Sequence, residues 1–330
     1  MKRTAILGAG SWGTAMGALL ADNGFEASLW ARDNAFADVL ERERQNSVYL
    51  PGAMFPENLR AGSDIGAALS GAELIVCAIP SHGLRAILEA ARPFIGKEAI
   101  VVSATKGIEA VSLLTPTRII RDVLGVSNHG IVALSGPSFA KEVSHGLPAA
   151  VCAASASLKA AQAVQAAFST RTFRVYTNAD VTGVELGGAL KNVMAIASGI
   201  SDGLGLGLNA RAALITRGLA EMTRLGVKMG AHPATFSGLS GIGDLVLTCT
   251  GALSRNYSTG VALGKGKTLE EAQNGRQVSE GVRTTEAAYS LAEKNHVETP
   301  IINEVYAVLY EGKRPKDAVM ELMTRDLKAE

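Results

Sequence analysis

The sequence predicts an α/β fold in which a doubly wound parallel sheet is followed by an all-helical domain. Short apolar runs alternate with helical patterns in the first half of the chain, and a glycine-rich turn separates the first strand from the first helix. Strand patterns stop near residue 180. Such alternation is typical of a parallel sheet covered by helices on both faces. We therefore expect two domains, at residues 1–179 and 180–330.

The first strand, turn and helix are contiguous. The apolar run at residues 4–7 is followed by the motif GAGSWG and then by a helical pattern. Gly8 permits the tight turn, Gly10 lets a pyrophosphate approach the backbone, and Gly13 lets the helix pack closely on its strand. The helix N-terminus offers N–H groups and a partial positive charge to phosphates. The motif therefore predicts a dinucleotide-binding, Rossmann-type domain.

The remaining strands are predicted where short runs are apolar on both faces, as in a covered parallel sheet. These runs lie at residues 28–30, 73–79, 99–103, 131–134 and 149–153. From residue 181 onward the pattern is helical, with glycine and proline breaks and no convincing strand. This change predicts the all-helical second domain.

Composition excludes several classes of partner. The 32 basic and 31 acidic residues nearly balance, so neither a nucleic acid nor a membrane surface would meet a strong field. No apolar run approaches the roughly 18 residues of a membrane span. Cys77, Cys152 and Cys249 lie far apart without zinc-ligand or CxxC spacing, which argues against metal sites and disulfides. We expect a cytoplasmic protein without a metal.

Lys191 lies on a predicted helix whose residues three and four positions away are small or apolar. No carboxylate on this helix can therefore pair with the ammonium. Either the side chain extends to water, or a pocket holds it as a general acid or base. The second role requires that burial and a neighbouring cation lower the pKa of Lys191.

Other residues could share a site with this lysine. Lys106 follows a predicted strand, at the carboxyl end of the sheet where ligands of open α/β folds bind, although it could equally be a loop lysine. Asp244 is a lone acid among apolar residues. Ser254, Arg255 and Asn256 can donate hydrogen bonds to a phosphate, or can simply begin a helix.

Longer strings carry a specific resemblance. The chain resembles the bacterial NAD(P)-dependent glycerol-3-phosphate dehydrogenases in the strings GAGSWGTA, SATKGIE, LSGPSFAKEV, ELGGALKNVMAIASGISDGLG, AALITRGLAEM, GLSGIGDLVLTCTG and LSRN. These strings occur in the family's order from the first strand to about residue 256, and residues 278–284 extend the match. The resemblance covers nearly the whole chain.

The resemblance implies an oxidoreductase that interconverts sn-glycerol 3-phosphate and dihydroxyacetone phosphate, and that supplies glycerol 3-phosphate for phospholipid synthesis. Lys191 would exchange a proton with the oxygen on carbon 2 while a hydride passes between that carbon and the nicotinamide. Lys106 would touch substrate and cofactor and lower the pKa of Lys191, and Asp244 would orient both lysines. The helical domain would resemble that of 6-phosphogluconate dehydrogenase, the chemistry would occur between the domains, and the protein would be a homodimer.

The resemblance also implies two sets of binding residues. Substrate would contact Lys106, Gly136, Ser138, Lys191, Asp244, Ser254, Arg255 and Asn256, with Arg255 reaching the phosphate. The dinucleotide would contact Gly8, Gly10, Ser11, Trp12, Gly13, Arg32, Tyr49, Lys106, Ala140, Arg255, Val278 and Glu280.

The coenzyme depends on the residues after the second strand. An acid there binds the ribose 2′-hydroxyl of NAD(H), whereas an arginine meets the 2′-phosphate of NADP(H). The chain has both, Arg32 and Asp33. We favour NADP(H), because Arg32 can stack on adenine as well as bind phosphate, and keep NAD(H) as the alternative.

Two other functions fit the same residues less well. A β-hydroxyacid or 6-phosphogluconate-type dehydrogenase would share the architecture and a lysine on the first helix of the second domain, but its substrate would carry a carboxylate. A non-catalytic NADP(H)-sensing module would keep the glycine-rich motif without needing Lys191.

Overall fold

The computed structural model describes residues 2–125, 130–273 and 279–327 of the chain. The chain forms two compact units. The first consists of Met1–Lys106 and Thr115–Val184, and the second of Gly107–Leu114 and Glu185–Glu330. We call them the sheet unit and the helical unit.

The sheet unit is built on a twisted sheet whose described strands are mostly parallel. Its strands are β1 (Arg3–Leu7), β2 (Glu26–Trp30), β3 (Gln45–Asn46), β4 (Leu50–Met54), β5 (Leu59–Gly62), β6 (Leu74–Cys77), β7 (Ile100–Ser103), β8 (Ile131–Ser135), β9 (Ala149–Ala154) and β10 (Phe173–Asn178). Eight of them form one sheet in the order β10-β9-β8-β7-β6-β1-β2-β5, and β3 and β4 form a separate hairpin. Strands β6 and β8 are buried along their whole length, as expected of a sheet covered on both faces.

Helices connect these strands and cover the sheet. They are α1 (Ser11–Asp22), α2 (Asn34–Glu43), α3 (Ile65–Leu69), α4 (Ser81–Ala91), α5 (Pro116–Leu124), α6 (Ala140–Ser144) and α7 (Leu158–Phe168), with a single turn at Arg92–Phe94. The core contains strand residues such as Ile6 and Val76 together with Met16 of α1 and Phe168 of α7. The predicted doubly wound α/β fold is confirmed.

Two details of the sheet differ from the prediction. Strand β9 runs antiparallel to β8, with Ala133 opposite Ala154. A parallel crossover usually contains a full α-helix, whereas the connection between β8 and β9 contains only the five-residue helix α6. Strand β10, strand β5 and the β3–β4 hairpin were not among the predicted strands. Their sequences, such as LRAG in β5, contain no apolar run.

The helical unit contains most of one long central helix and the helices that surround it. Its helices are α8 (Val181–Gly203), α9 (Gly207–Lys228), α10 (Pro233–Phe236), α11 (Asp244–Thr250), α12 (Arg255–Gly264), α13 (Leu269–Gln273), α14 (Glu280–Lys294), α15 (Pro300–Tyr310) and α16 (Pro315–Met323), with a wide turn at Leu239–Gly243. No strand occurs among its described residues. Helix α8 is buried from residue 183 to residue 201, which is typical of a helix inside a bundle.

Helices α8 and α12 pack closely against each other. A Cβ on Gly260 would lie 2.1 Å from the Ile196 carbonyl oxygen.

Within the described residues, no single helix combines the length and apolarity needed to cross a membrane. One pair bent by 49°, Pro233–Thr250 with Arg255–Gly264, meets that requirement by length and composition alone.

Candidate active site

The glycine-rich loop leaves open space at the start of α1. Gly8 has a φ of 114°, which favours glycine, and a Cβ on Gly13 would lie 1.9 Å from the Gly8 carbonyl oxygen. Gly10 precedes α1 with extended backbone and no side-chain cap, and a Cβ there would meet nothing within 4 Å. The first N–H groups of α1 therefore face a space that suits a phosphate.

Trp12 lies in the first turn of α1 and packs against Phe173, with ring centroids 6.4 Å apart. Its Nε1 group is buried and meets no hydrogen-bond acceptor within the described part of the chain. A buried donor without a partner is uncommon in folded proteins. The open space at Gly10 and this donor both fit a bound polar ligand beside α1.

The residues after β2 have different roles in the fold. The Asp33 carboxylate accepts the Phe36 N–H at 2.7 Å and caps α2. Arg32, directly before it, is exposed. Tyr49 is 53% exposed and meets the Phe36 ring edge-on, at 5.6 Å between centroids. Asp33 thus has a structural use, and Arg32 lies at the surface.

Three predicted residues of the sheet unit come together at the carboxyl ends of β7 and β8. The ammonium of Lys106 donates to the Gly136 carbonyl oxygen at 3.1 Å, and the Ser138 hydroxyl donates to the same oxygen at 3.0 Å. A Cβ on Gly136 would lie 2.8 Å from the Val151 Cα, so a larger residue does not fit. The strand ends thus bring a half-buried cation and a hydroxyl to the edge where α/β folds bind ligands.

Lys191 lies in a buried pocket of the helical unit and is only 6% exposed. Its Nζ donates to Asp244 Oδ1 at 2.5 Å and to the Thr248 hydroxyl at 2.8 Å. The Thr248 hydroxyl in turn donates to the Asp244 main-chain oxygen at 2.6 Å. Of the two alternatives left by the sequence, the structure shows the held ammonium, and its carboxylate partner comes from a different helix.

The backbone around Asp244 explains how the pair forms. A Cβ on Gly187 would lie 2.4 Å from the Ser240 carbonyl oxygen, so the turn Leu239–Gly243 lies directly on α8. Helix α11 begins at the next residue, Asp244, which is 1% exposed. Thr248 was not predicted, although its position four residues after Asp244 places both on one face of a helix.

Cys249, the neighbour of Thr248, is buried, and this burial raises the pKa of its thiol to about 12. A thiol with such a pKa stays protonated and does not act as a nucleophile. Cys249 belongs to the buried core of the helical unit, next to Thr248 in the chain.

At the start of α12, Arg255 supplies a cation, and the side chains of Ser254 and Asn256 already make hydrogen bonds within the protein. The Ser254 hydroxyl accepts a backbone N–H from the first turn and caps the helix. Asn256 donates to Asn192 Oδ1 and accepts the Gly281 N–H, both at 2.9 Å. Arg255 is exposed at this helix N-terminus. Asn192, the residue after Lys191, was missed because nothing in the sequence shows that it meets Asn256.

The remaining predicted residues are less informative. Ala140 begins α6 and Glu280 begins α14, and both are half-buried. Val278 lies outside the described residues. Among the described residues, no group of three or more His, Cys, Asp or Glu side chains could hold a metal ion.

A glycine-rich turn on a mostly parallel sheet and a buried lysine–carboxylate pair on a helical unit are features typical of dinucleotide-dependent dehydrogenases. The chain belongs to the NAD-dependent glycerol-3-phosphate dehydrogenase family. Residues 3–161 match the model of that family's N-terminus, and residues 180–320 match the model of its C-terminus. The resemblance predicted from the sequence strings is confirmed.

Relatives and solved structures agree with this family. The chain is 54% identical over 331 residues to the glycerol-3-phosphate dehydrogenase (NAD(P)+) of Citrifermentans bemidjiense, covering 100% of this chain and 99% of the relative. It matches a glycerol-3-phosphate dehydrogenase structure from Coxiella burnetii with a TM-score of 0.94 and 41% identity, covering 98% and 99% of the two chains. A ketopantoate reductase structure from Ralstonia eutropha, 19% identical with a TM-score of 0.61 and 96% and 99% coverage, shares the fold alone.

Proposed function

We infer that this chain interconverts sn-glycerol 3-phosphate and dihydroxyacetone phosphate with NAD(P)(H). The observation that carries this inference is the buried Lys191–Asp244 pair in a chain whose relatives at 49–54% identity are glycerol-3-phosphate dehydrogenases. A buried ion pair is expensive to desolvate, and proton transfer gives a reason to keep one. A hydroxyacid dehydrogenase would also keep such a lysine, so the identity of the relatives is what favours the glycerol-3-phosphate reading over the hydroxyacid dehydrogenase and sensor alternatives.

We propose that Lys191 carries the proton. When bound, NAD(P)H supplies a hydride to carbon 2 of dihydroxyacetone phosphate. The carbonyl oxygen then needs a proton, which the Lys191 ammonium gives, and the reverse reaction returns it. Asp244 orients the ammonium through one hydrogen bond, and Thr248 fixes its direction through the second. Such a positioned donor contributes about 10²- to 10⁴-fold to a rate.

Substrate binding is proposed for residues of both units. In the sheet unit these are Lys106, Gly136 and Ser138. The Lys106 ammonium and the Ser138 hydroxyl both donate to the Gly136 carbonyl oxygen. In the helical unit they are Lys191, Asp244, Ser254, Arg255 and Asn256. The exposed guanidinium of Arg255 at a helix N-terminus supports its assignment to the phosphate. We retain residues 1–179 as the coenzyme domain and 180–330 as the domain that supplies the acid–base lysine.

We propose that NADP(H) is the preferred coenzyme. The capping role of Asp33 supports this preference, because its carboxylate already accepts a main-chain N–H. Exposed Arg32 could instead pair with a 2′-phosphate. The other residues proposed to contact the coenzyme, as the resemblance implies, are Gly8, Gly10, Ser11, Trp12, Gly13, Tyr49, Lys106, Ala140, Arg255, Val278 and Glu280.

Three further assignments follow from the family. We propose that the enzyme works in the cytoplasm, that it makes glycerol 3-phosphate for phospholipid synthesis, and that it is a homodimer. Analytical ultracentrifugation of the full chain tests the last assignment, and a sedimenting mass of one chain would contradict it.

The decisive experiment follows absorbance of the reduced nicotinamide with dihydroxyacetone phosphate, in parallel with NADH and NADPH. We expect turnover with both and a higher kcat/KM with NADPH. Lys191→Met should lower kcat by about 100-fold or more, whereas Lys228→Met, at an exposed lysine of α9, should leave it unchanged. Turnover with β-hydroxyacids alone, or coenzyme binding without turnover, would contradict the proposed function.

A further inference from the structure

Asn46, in the short strand β3, is completely buried and uses its whole amide group within the sheet unit. Its Nδ2 donates to the Ala9 carbonyl oxygen at 3.0 Å and to the Thr14 hydroxyl at 2.8 Å. Its Oδ1 accepts the Tyr49 N–H at 3.0 Å. One side chain therefore connects the glycine-rich loop, the first turn of α1 and the β3–β4 hairpin.

The bond to Ala9 fixes the orientation of one peptide group. The Ala9 carbonyl and the Gly10 N–H belong to the same peptide, and no cis peptide occurs among the described residues. In a trans peptide the C=O and N–H bonds point in opposite directions. Because Asn46 binds the carbonyl, the Gly10 N–H is directed away from Asn46.

The bond to Thr14 fixes the helix against the same loop. Thr14 donates its N–H to the Gly10 carbonyl oxygen at 3.0 Å and thereby closes the first turn of α1. Asn46 thus binds on both sides of Gly10: it holds the Ala9–Gly10 peptide, and it holds Thr14, whose N–H makes the first hydrogen bond of α1. The third bond holds the backbone of Tyr49, an exposed residue that we assign to the coenzyme.

We propose that Asn46 is a positioning residue for dinucleotide binding, which holds the glycine-rich loop and the Tyr49 segment in their binding geometry before the coenzyme arrives. A site ordered in advance loses less freedom on binding and therefore binds more tightly. Aspartate at this position would keep the shape but remove both donors. This inference rests on the proposed coenzyme binding.

The test compares Asn46→Asp with the wild-type enzyme. Both tryptophans, Trp12 and Trp30, lie in the sheet unit, so tryptophan fluorescence follows NADPH titration. We expect the Kd for NADPH to rise about tenfold or more, because the Ala9 carbonyl oxygen would face an acceptor instead of a donor. At saturating NADPH, kcat and the KM for dihydroxyacetone phosphate should stay within about threefold of wild type.

A second pair of variants keeps the test decisive if Asn46→Asp does not fold. Thr14→Val removes only one acceptor of the Asn46 amide and should raise the Kd for NADPH by a smaller factor, about threefold. Thr14→Ser keeps the hydroxyl and should restore wild-type affinity. Equal affinities for Thr14→Val and Thr14→Ser would overturn the proposal.

Asn58→Asp is the matched control. The Asn58 Nδ2 also donates to two oxygens of the sheet unit, here the main-chain oxygens of Ala21 at 2.8 Å and Phe25 at 2.6 Å, but at the opposite end of α1. This variant should lower the melting temperature and leave the Kd for NADPH unchanged. If Asn46→Asp and Asn58→Asp change the Kd equally, Asn46 is only structural. If wild-type protein binds no NADPH, the proposed function itself fails.

Discussion

The described parts of the two units differ in the polar side chains that they bury: the helical unit buries charged ones, and the sheet unit buries only neutral ones. Among the described residues, four charged side chains are buried, and all of them lie in the helical unit: Glu185, Lys191, Glu221 and Asp244. The described part of the sheet unit buries only neutral polar side chains, such as Thr14 and Asn46. A backbone site for phosphates needs no buried charge, whereas a buried ammonium such as that of Lys191 needs a charged partner.

The largest effect should follow from breaking the buried pair. Asp244→Asn keeps the shape but removes the charge opposite Lys191, which costs several kcal/mol when a buried ammonium loses its partner. We expect kcat with NADPH and dihydroxyacetone phosphate to fall about 100-fold, together with a lower melting temperature. Asp317→Asn, in an exposed ion pair with Arg314, should change neither. A kcat within threefold of wild type would show that the charge of Asp244 is dispensable.

A second buried acid of the helical unit should make stability depend on pH. Glu221 accepts the N–H groups of Ile301 and Ile302 at the start of α15. Burial raises the pKa of Glu221 from 4.5 to about 7, although these two bonds and nearby arginines lower it. The folded chain therefore holds a proton that the unfolded chain has released between about pH 4.5 and 7.

The sign of this effect follows from the raised pKa. As pH rises through that window, the unfolding free energy should fall by up to about 3 kcal/mol and then level off above pH 7. Glu221→Gln should lack this slope, and Glu270→Gln, at an exposed position, should retain it. Denaturation followed by far-ultraviolet circular dichroism from pH 5 to 8 measures the difference. Parallel pH profiles for wild type and Glu221→Gln would contradict the role of this buried carboxyl.

The same contrast explains how much the sequence could predict. The glycine-rich loop was predicted because its residues are consecutive and its backbone function is local. Lys191 and Asp244 were each recognisable as lone charges among apolar residues, yet they are 53 positions apart, and only the packing of α11 on α8 pairs them. Asn46 was missed because its strand has two residues and its partners lie on α1 and the loop before it. Contacts between distant elements have no signal in a single sequence.

The smallest effect should separate binding from folding within the glycine-rich loop. Gly10→Ala places a methyl group in open space at a backbone conformation that alanine accepts, so the free protein should lose only the small advantage of glycine over alanine as an N-cap. The KM for NADPH should nevertheless rise about tenfold, because we propose that the pyrophosphate occupies that space. Gly13→Ala places its Cβ 1.9 Å from the Gly8 carbonyl oxygen and should lower both stability and affinity. If Gly10→Ala destabilised the free protein as much as Gly13→Ala, or left the KM unchanged, Gly10 would serve the fold rather than the coenzyme.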